Sequence, residues 1–214
     1  MIIVDLMVFD FDGTLVDTGR DIVKAVNFTL RSLGLPERPY EEAIGFIGDG
    51  VQMLLERSLG AEGKKLYAEA RNIFLAYYGD HLLDTTGLYT GVEDVLRHFE
   101  AKKKWIVTNK LYEFTTRIAE ALQIHGYFDG IMGRDSTPYA KPDARLLKGL
   151  MERYGVSRER TVVFGDGVHD MGMARNAGAW GCAFLGGLGD RKELLRQCPD
   201  FTCENILELK TLFR

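Results

Sequence analysis

Five short apolar runs, at 2–9, 104–108, 130–133, 161–164 and 180–185, recur along the sequence, and helical patterns at 91–102, 112–124, 143–154, 168–178 and 204–213 lie between and after them. The first run is almost uninterrupted, as a strand covered on both faces requires. Strands alternating with amphipathic helices predict an α/β fold, an open, Rossmann-like, mostly parallel sheet.

The stretch 18–85 breaks that rhythm. It carries amphipathic helical patterns near 19–33, 41–46, 49–59 and 62–84 and no convincing strand, so it is expected to be a helical insertion after the first strand. Gly13-Thr14 begins one linker, Asp84-Thr85-Thr86-Gly87 forms the other, and Asp17 falls at the entry to the insertion. The expected division is a core of 1–17 and 86–214, with 18–85 inserted into it.

A formal net charge of −4 argues against an extended nucleic-acid-binding or anionic-membrane surface. Cys182, Cys198 and Cys203 make an odd count without C-x-x-C spacing, which suits neither a disulfide framework nor a zinc ribbon and fits a reducing cytoplasm. The N-terminal run contains Asp5 and lacks a basic start, so it reads as a buried strand rather than a signal peptide. No segment approaches the roughly 18 apolar residues of a membrane span.

Ligands of open α/β sheets bind beyond the carboxyl ends of the strands. Distinctive polar groups fall there: Asp10-Phe11-Asp12-Gly13-Thr14 after the first run, Thr108-Asn109 after the second, Lys141-Pro142 ahead of the fourth, and Gly165-Asp166-Gly167-Val168-His169-Asp170 after the fourth. Each has a bland counterpart. A lone D-x-D caps turns, a lysine before a helix is usually solvated, and Asp166 and Asp170 could be turn and N-cap residues. The D-x-D is no EF-hand loop, since Leu15 stands where that loop needs glycine and Asp21 where it needs glutamate. In an extended segment Asp10 and Asp12 face one pocket while Phe11 packs away, and Gly13 permits a tight turn.

Taken in order, D-F-D-G-T, T-N, K-P and G-D-x-x-x-D resemble the four signature motifs of the haloacid dehalogenase superfamily of phosphohydrolases, and the match spans essentially the whole chain. The insertion resembles that superfamily's helical cap. The resemblance implies a Mg²⁺ cofactor held by the Asp10 carboxylate, the backbone carbonyl of Asp12 and the Asp166 carboxylate, with Asp170 either a further ligand or an acceptor for metal-bound water. It implies Asp10 as nucleophile, forming an aspartyl-phosphate, and Asp12 as the acid and base that protonates the leaving alkoxide and then deprotonates water. Lys141 would neutralise nucleophile and phosphoryl group. Thr108, Asn109 and the backbone amides at Gly13 would bind phosphate.

An aspartate at position 12 favours phosphoryl transfer over carbon–halogen cleavage, because a halide leaves unprotonated. The stretch Ile44–Val51 and Thr108-Asn109-Lys110 are most similar to the phosphoglycolate phosphatase group. Gly167 stands where many relatives carry a hydroxyl residue, and Tyr89-Thr90 where a Tyr-Pro pair is usual. The expected substrate is a small phosphorylated metabolite, acted on by a monomer or homodimer with no nucleic-acid or membrane partner. A sugar-phosphate mutase, a pyrophosphatase and a non-catalytic phospho-ligand binder are the alternatives. Arg20, Lys24, Gln52 and Arg57 are candidates to contact an acidic leaving group, and His169 is expected to be a solvated helix-start residue.

Overall fold

Leu6, Met7, Val8 and Phe9 are all buried, and their alternate side chains enter two different cores. That period of two is what a strand covered on both faces imposes. The computed structural model describes residues 1–214, the side chains of Glu62 and Lys64 excepted. Chain order is β1 (Leu6–Phe9), β2 (Val16–Asp17), α1 (Gly19–Ser32), α2 (Tyr40–Ile44), α3 (Gly50–Gly63), α4 (Tyr67–Asp80), β3 (Gly87–Leu88) and α5 (Val92–His98). It continues β4 (Lys103–Val107), α6 (Tyr112–Ala121), β5 (Gly130–Met132), α7 (Ala144–Tyr154), β6 (Thr161–Gly165), α8 (Val168–Ala177), β7 (Trp180–Phe184), α9 (Arg191–Arg196), β8 (Phe201–Cys203) and α10 (Leu209–Leu212).

Six strands form a sheet in the order β5-β4-β1-β6-β7-β8, every neighbouring pair parallel. On one face Leu6, Val8, Trp105, Val107 and Val163 pack on Leu146, Leu147 and Leu150 of α7 and Met173 and Ala174 of α8. On the other, Met7, Phe9, Ile106, Val162 and Phe164 meet Val92, Val95 and Leu96 of α5 and Ile118 of α6. Each buried Val, Leu, Ile, Phe or Met side chain among them contributes about 1.5–3 kcal/mol of burial free energy. Asp143 caps α7 by accepting from the Arg145 N–H at 2.9 Å, and Gly155, at φ 63°, ends it. Pro142 therefore lies just outside the helix.

The α/β architecture read from the sequence is the one observed. Boundaries differ where polar contacts interrupt a pattern. The run 2–9 is strand only over Leu6–Phe9, because Asp5 turns aside to pair with Arg160. The expected helix at 204–213 shrinks to a 3₁₀ turn and Leu209–Leu212, and β8 precedes it. The polar helix α9 follows β7 with no apolar pattern to announce it.

Between β2 and β3 lie α1–α4 and no strand. β2 and β3 form a separate two-stranded antiparallel ribbon, Val16 opposite Leu88 and Asp17 opposite Gly87, so the chain enters and leaves the helical segment at one place. Asp21 of α1 is buried beside this ribbon. Its carboxylate accepts from the N–H and hydroxyl of both Thr85 and Thr86, at 2.7–2.9 Å. No helix of the described residues is long and apolar enough to cross a membrane.

Candidate active site

Asp10 directly follows β1, and its N–H donates to the Phe164 carbonyl of β6 at 2.9 Å. That register brings the end of β1 beside the end of β6, where Asp166 stands. After Asp12 the chain must turn back, and Gly13 does so at φ 76°. A Cβ there would lie 2.2 Å from Asp166 Oδ2, so only glycine admits the aspartate. The Gly13 N–H donates to the Val16 carbonyl at 2.8 Å. The glycine also leaves the space that Asp166 occupies.

Asp166 is fixed from several sides. Thr14 Oγ1 donates to its Oδ1 at 2.6 Å, and the N–H groups of Leu188 and Gly189 donate to its Oδ2 at 2.9 and 3.0 Å. These two amides belong to the Gly-Gly-Leu-Gly turn after β7, which sequence reasoning did not single out. A glycine-rich turn at the carboxyl end of a strand was the available signal.

Lys141 is buried, and its Nζ lies 2.7 Å from Asp10 Oδ1 and 2.7 Å from Asp170 Oδ1. Carboxylate oxygens of Asp10, Asp166 and Asp170 all lie within 4.8 Å of one another. One ammonium among three carboxylates leaves about two negative charges uncompensated in a buried place. Burial, then the neighbouring Asp10 charge, raises the Asp166 carboxyl to about 6 and also pushes Asp170 upward. Burial pulls the Lys141 ammonium down, but the facing Asp10 and Asp170 more than offset this and hold it above its ordinary value. A hard-oxygen donor set with excess negative charge fits a divalent cation.

Asp12 is held apart from this cluster. Thr18 Oγ1 donates to its Oδ1 at 2.7 Å, and Lys110 Nζ lies 3.0 and 3.3 Å from its two oxygens. Lys110 is itself buried and also donates to the Tyr78 hydroxyl of α4 at 2.7 Å. Burial pushes the Tyr78 phenol up to about 12. The Lys110 ammonium, which burial alone would lower, is held up by Asp12 and Tyr78. The sequence offered Lys110 only as the third residue of Thr108-Asn109-Lys110.

Thr108 Oγ1 accepts from the Lys110 N–H at 3.2 Å, leaving its hydroxyl proton for another acceptor. Asn109 has a different employment. Its Nδ2 donates to the Gly48 carbonyl at 3.0 Å, and its Oδ1 accepts from the Lys141 N–H at 3.2 Å. Its amide thus ties the loop between α2 and α3 to the backbone that carries Lys141.

His169 is not a free, solvated residue. Its Nε2 contacts Asp49 Oδ1 of the same α2–α3 loop, and the other Asp49 oxygen pairs with Arg57 of α3. Of the four residues suggested for the leaving group, Arg57 lines the cleft that holds Asp10, Asp12, Lys141, Asp166 and Asp170. Gln52 lines an adjoining groove and hydrogen-bonds Glu56. Lys24 is turned to Asp84, 2.5 Å away, beside His81. Arg20 is exposed and lines neither space.

The comparisons agree with this geometry. Residues 7–184 match the haloacid dehalogenase-like hydrolase family. The phosphoglycolate phosphatase of Caulobacter vibrioides is 36% identical over 179 residues, covering 81% of this chain and 76% of that protein. The phosphoglycolate phosphatase of Aquifex aeolicus is 32% identical over 209 residues, covering 97% and 95%. A haloacid dehalogenase-like hydrolase from Streptococcus pneumoniae superposes with a TM-score of 0.88 at 28% identity, over 98% of each chain. A predicted phosphoglycolate phosphatase from Haemophilus somnus shares the fold, with a TM-score of 0.93 at 24% identity over 98% and 97%. With signature carboxylates gathered at the ends of β1 and β6, and a family match over most of its length, the chain belongs to the haloacid dehalogenase-like hydrolases.

Proposed function

We propose that the protein is a Mg²⁺-dependent phosphatase that hydrolyses a small phosphate monoester, of the phosphoglycolate type, through an aspartyl-phosphate. The observation that carries this reading is the unequal environment of the two carboxylates in D-F-D. Asp10 clusters with Asp166 and Asp170 and shares Lys141 with Asp170, while Asp12 has its own partners in Thr18 and Lys110. Two carboxylates in different surroundings can take different roles. In this reading 1–17 and 86–214 are the catalytic core, 18–85 is the helical cap, and the partner is a small phosphorylated metabolite of the cytoplasm.

Asp10, the backbone carbonyl of Asp12, Asp166 and Asp170 would hold Mg²⁺. The ion supplies Lewis-acid neutralisation of phosphate charge, which lets an anionic nucleophile approach. An Asp10 oxygen attacks phosphorus in line, the phosphorus–oxygen ester bond breaks, and protonated Asp12 gives its proton to the departing alkoxide. Water then attacks the phosphorus of the acyl phosphate and passes a proton to Asp12. Inorganic phosphate leaves, and the Asp10 carboxylate is restored. Lys141 keeps the Asp10 carboxylate oriented, and the Thr108 hydroxyl donates to a phosphate oxygen.

Hydrolysis of p-nitrophenyl phosphate with and without Mg²⁺ tests the reading. Metal-dependent turnover in the wild type that vanishes in Asp10→Asn is expected, and comparable turnover in that variant refutes the nucleophile. A panel of 2-phosphoglycolate, sugar phosphates and pyrophosphate then ranks the leaving group.

A further inference from the structure

Two spaces adjoin the carboxylates, and they differ in chemistry. One is a small chamber of about 60 Å³ whose walls include Ile22, Leu54, Phe74 and Phe114 and whose polar side is formed by Asp10, Asp12, Thr108, Asn109 and Lys110. The other is an open groove of about 600 Å³ between α3, α4 and the turn after β5. Arg57, Arg71, Arg134 and Lys141 line this groove, together with His169, and Asp49 is the one acidic residue among its lining residues. The protein as a whole carries a net charge of −4, so this concentration of cations is local.

Most arginines here are already engaged. Arg31, Arg38, Arg145, Arg158, Arg160, Arg191 and Arg196 each face a carboxylate. Among the described residues, Arg71 and Arg134 have no carboxylate within 4.0 Å, although both are exposed on the groove that Lys141 shares with the catalytic cleft. Their guanidinium groups present planar, paired donors suited to carboxylate or phosphate. The chamber is a poor alternative for an anion, because its one ammonium is committed to Asp12 and Tyr78 and its remaining walls are largely apolar.

We infer that the groove lined by Arg71 and Arg134 is the subsite for a second anionic group on the substrate, so that the protein selects phosphate monoesters whose leaving group carries a carboxylate or another phosphate. The inference rests on the phosphatase reading and names the leaving-group chemistry for it. The acidic floor of the cleft takes the reacting phosphate with Mg²⁺, and the basic groove takes the other end. Arg57, tied to Asp49, forms the wall between them.

Steady-state hydrolysis of 2-phosphoglycolate and p-nitrophenyl phosphate by the full chain with Mg²⁺ tests this, since only the first ester carries a second ionised group, its carboxylate, beside the phosphate. Arg71→Ala and Arg134→Ala are each expected to raise KM for 2-phosphoglycolate about fivefold with a smaller change in kcat, the scale of a partly solvated charged hydrogen bond. The kcat/KM ratio of the two esters should fall with it, and Arg71→Lys should recover part of the loss. Arg214→Ala, far along the chain at an exposed terminus, should leave the ratio unchanged. An unchanged ratio in the Arg71→Ala/Arg134→Ala double variant overturns the subsite while the phosphatase reading stands. So does a wild type that turns over p-nitrophenyl phosphate with no preference for 2-phosphoglycolate or 3-phosphoglycerate. A folded wild type that hydrolyses no ester overturns the phosphatase reading and the subsite together.

Discussion

Lys110 Nζ lies 3.0 Å from Asp12 Oδ1, so the second carboxylate of D-F-D has an ammonium of its own, separate from the Lys141 that serves Asp10. Two like charges one residue apart are tolerated because each is compensated by a lysine from a different loop. Lys110 follows β4 and Lys141 precedes α7. The arrangement also joins the helical segment to the chemistry, since Tyr78 of α4 is the remaining partner of Lys110.

Lys110→Met removes that partner and leaves Asp12 with Thr18 alone. The expected result is a fall in kcat of about a hundredfold, the lower end of what a positioned proton-transfer group contributes, with KM moving far less. Tyr78→Phe keeps the ring and deletes only the hydroxyl, so its effect on kcat should be smaller. Steady-state kinetics on both variants distinguishes a lysine that orients Asp12 from one that merely fills space; equal shifts of kcat and KM in Lys110→Met refute the orienting role.

Gly13→Ala places a methyl group 2.2 Å from Asp166 Oδ2 at a backbone φ of 76°. Strain and the displaced carboxylate should together cost roughly 2–4 kcal/mol of stability and remove most activity. Urea unfolding read beside turnover checks both. A stable, active alanine variant would show that the Asp10–Asp17 turn has another conformation available.

Asp166 titrates near 6 in the folded chain against an ordinary 3.8, because burial and Asp10 disfavour its charge. A carboxyl raised in this way contributes stability that is fully present below the unfolded value and is lost as pH rises through about 6. Asp170 acts in the same direction. Mg²⁺ binds the ionised forms, so its stabilising effect should be greater at about pH 7.5 than at about pH 5. Thermal melts with and without Mg²⁺ at the two pH values measure this, and equal shifts in Tm would contradict it.

Asp21→Ala empties a buried acceptor on which two threonines converge. The four stranded donors should make it roughly 3 kcal/mol less stable or worse, while Asp21→Asn, which keeps one acceptor oxygen, should lose about half as much. Chemical unfolding ranks the three proteins. Wild-type stability in the alanine variant would mean that Thr85 and Thr86 find other acceptors.

The sequence made the sheet and the primary carboxylates readable because those features are local. An apolar run fixes a strand, and the residue after it must lie at the strand's end, as Asp10, Thr108 and Asp166 do. What stayed hidden depends on distant packing. Lys110 meets Asp12 across 98 positions of sequence, and His169 meets Asp49 across 120. Neither pairing leaves a periodic trace. The place of Asn109 in T-N points to phosphate, and only the folded loop shows that its amide also engages the Gly48 carbonyl and the Lys141 N–H. β8 escaped notice because Phe201-Thr202-Cys203 is too short to form a pattern and becomes a strand only by pairing with β7.

The antiparallel pairing of β2 with β3 places both crossings one strand spacing apart, about 4.8 Å. The closure cost that the segment between them imposes grows only with the logarithm of its length, by about 0.6 kcal/mol per doubling. Such a junction works as a splice point. Recombination at Val16 and Leu88 could replace the whole helical module without altering strand order. A transplanted module would inherit the nucleophile and Arg134, but it would have to bring its own hydroxyl for Lys110 and its own counterpart of Arg71.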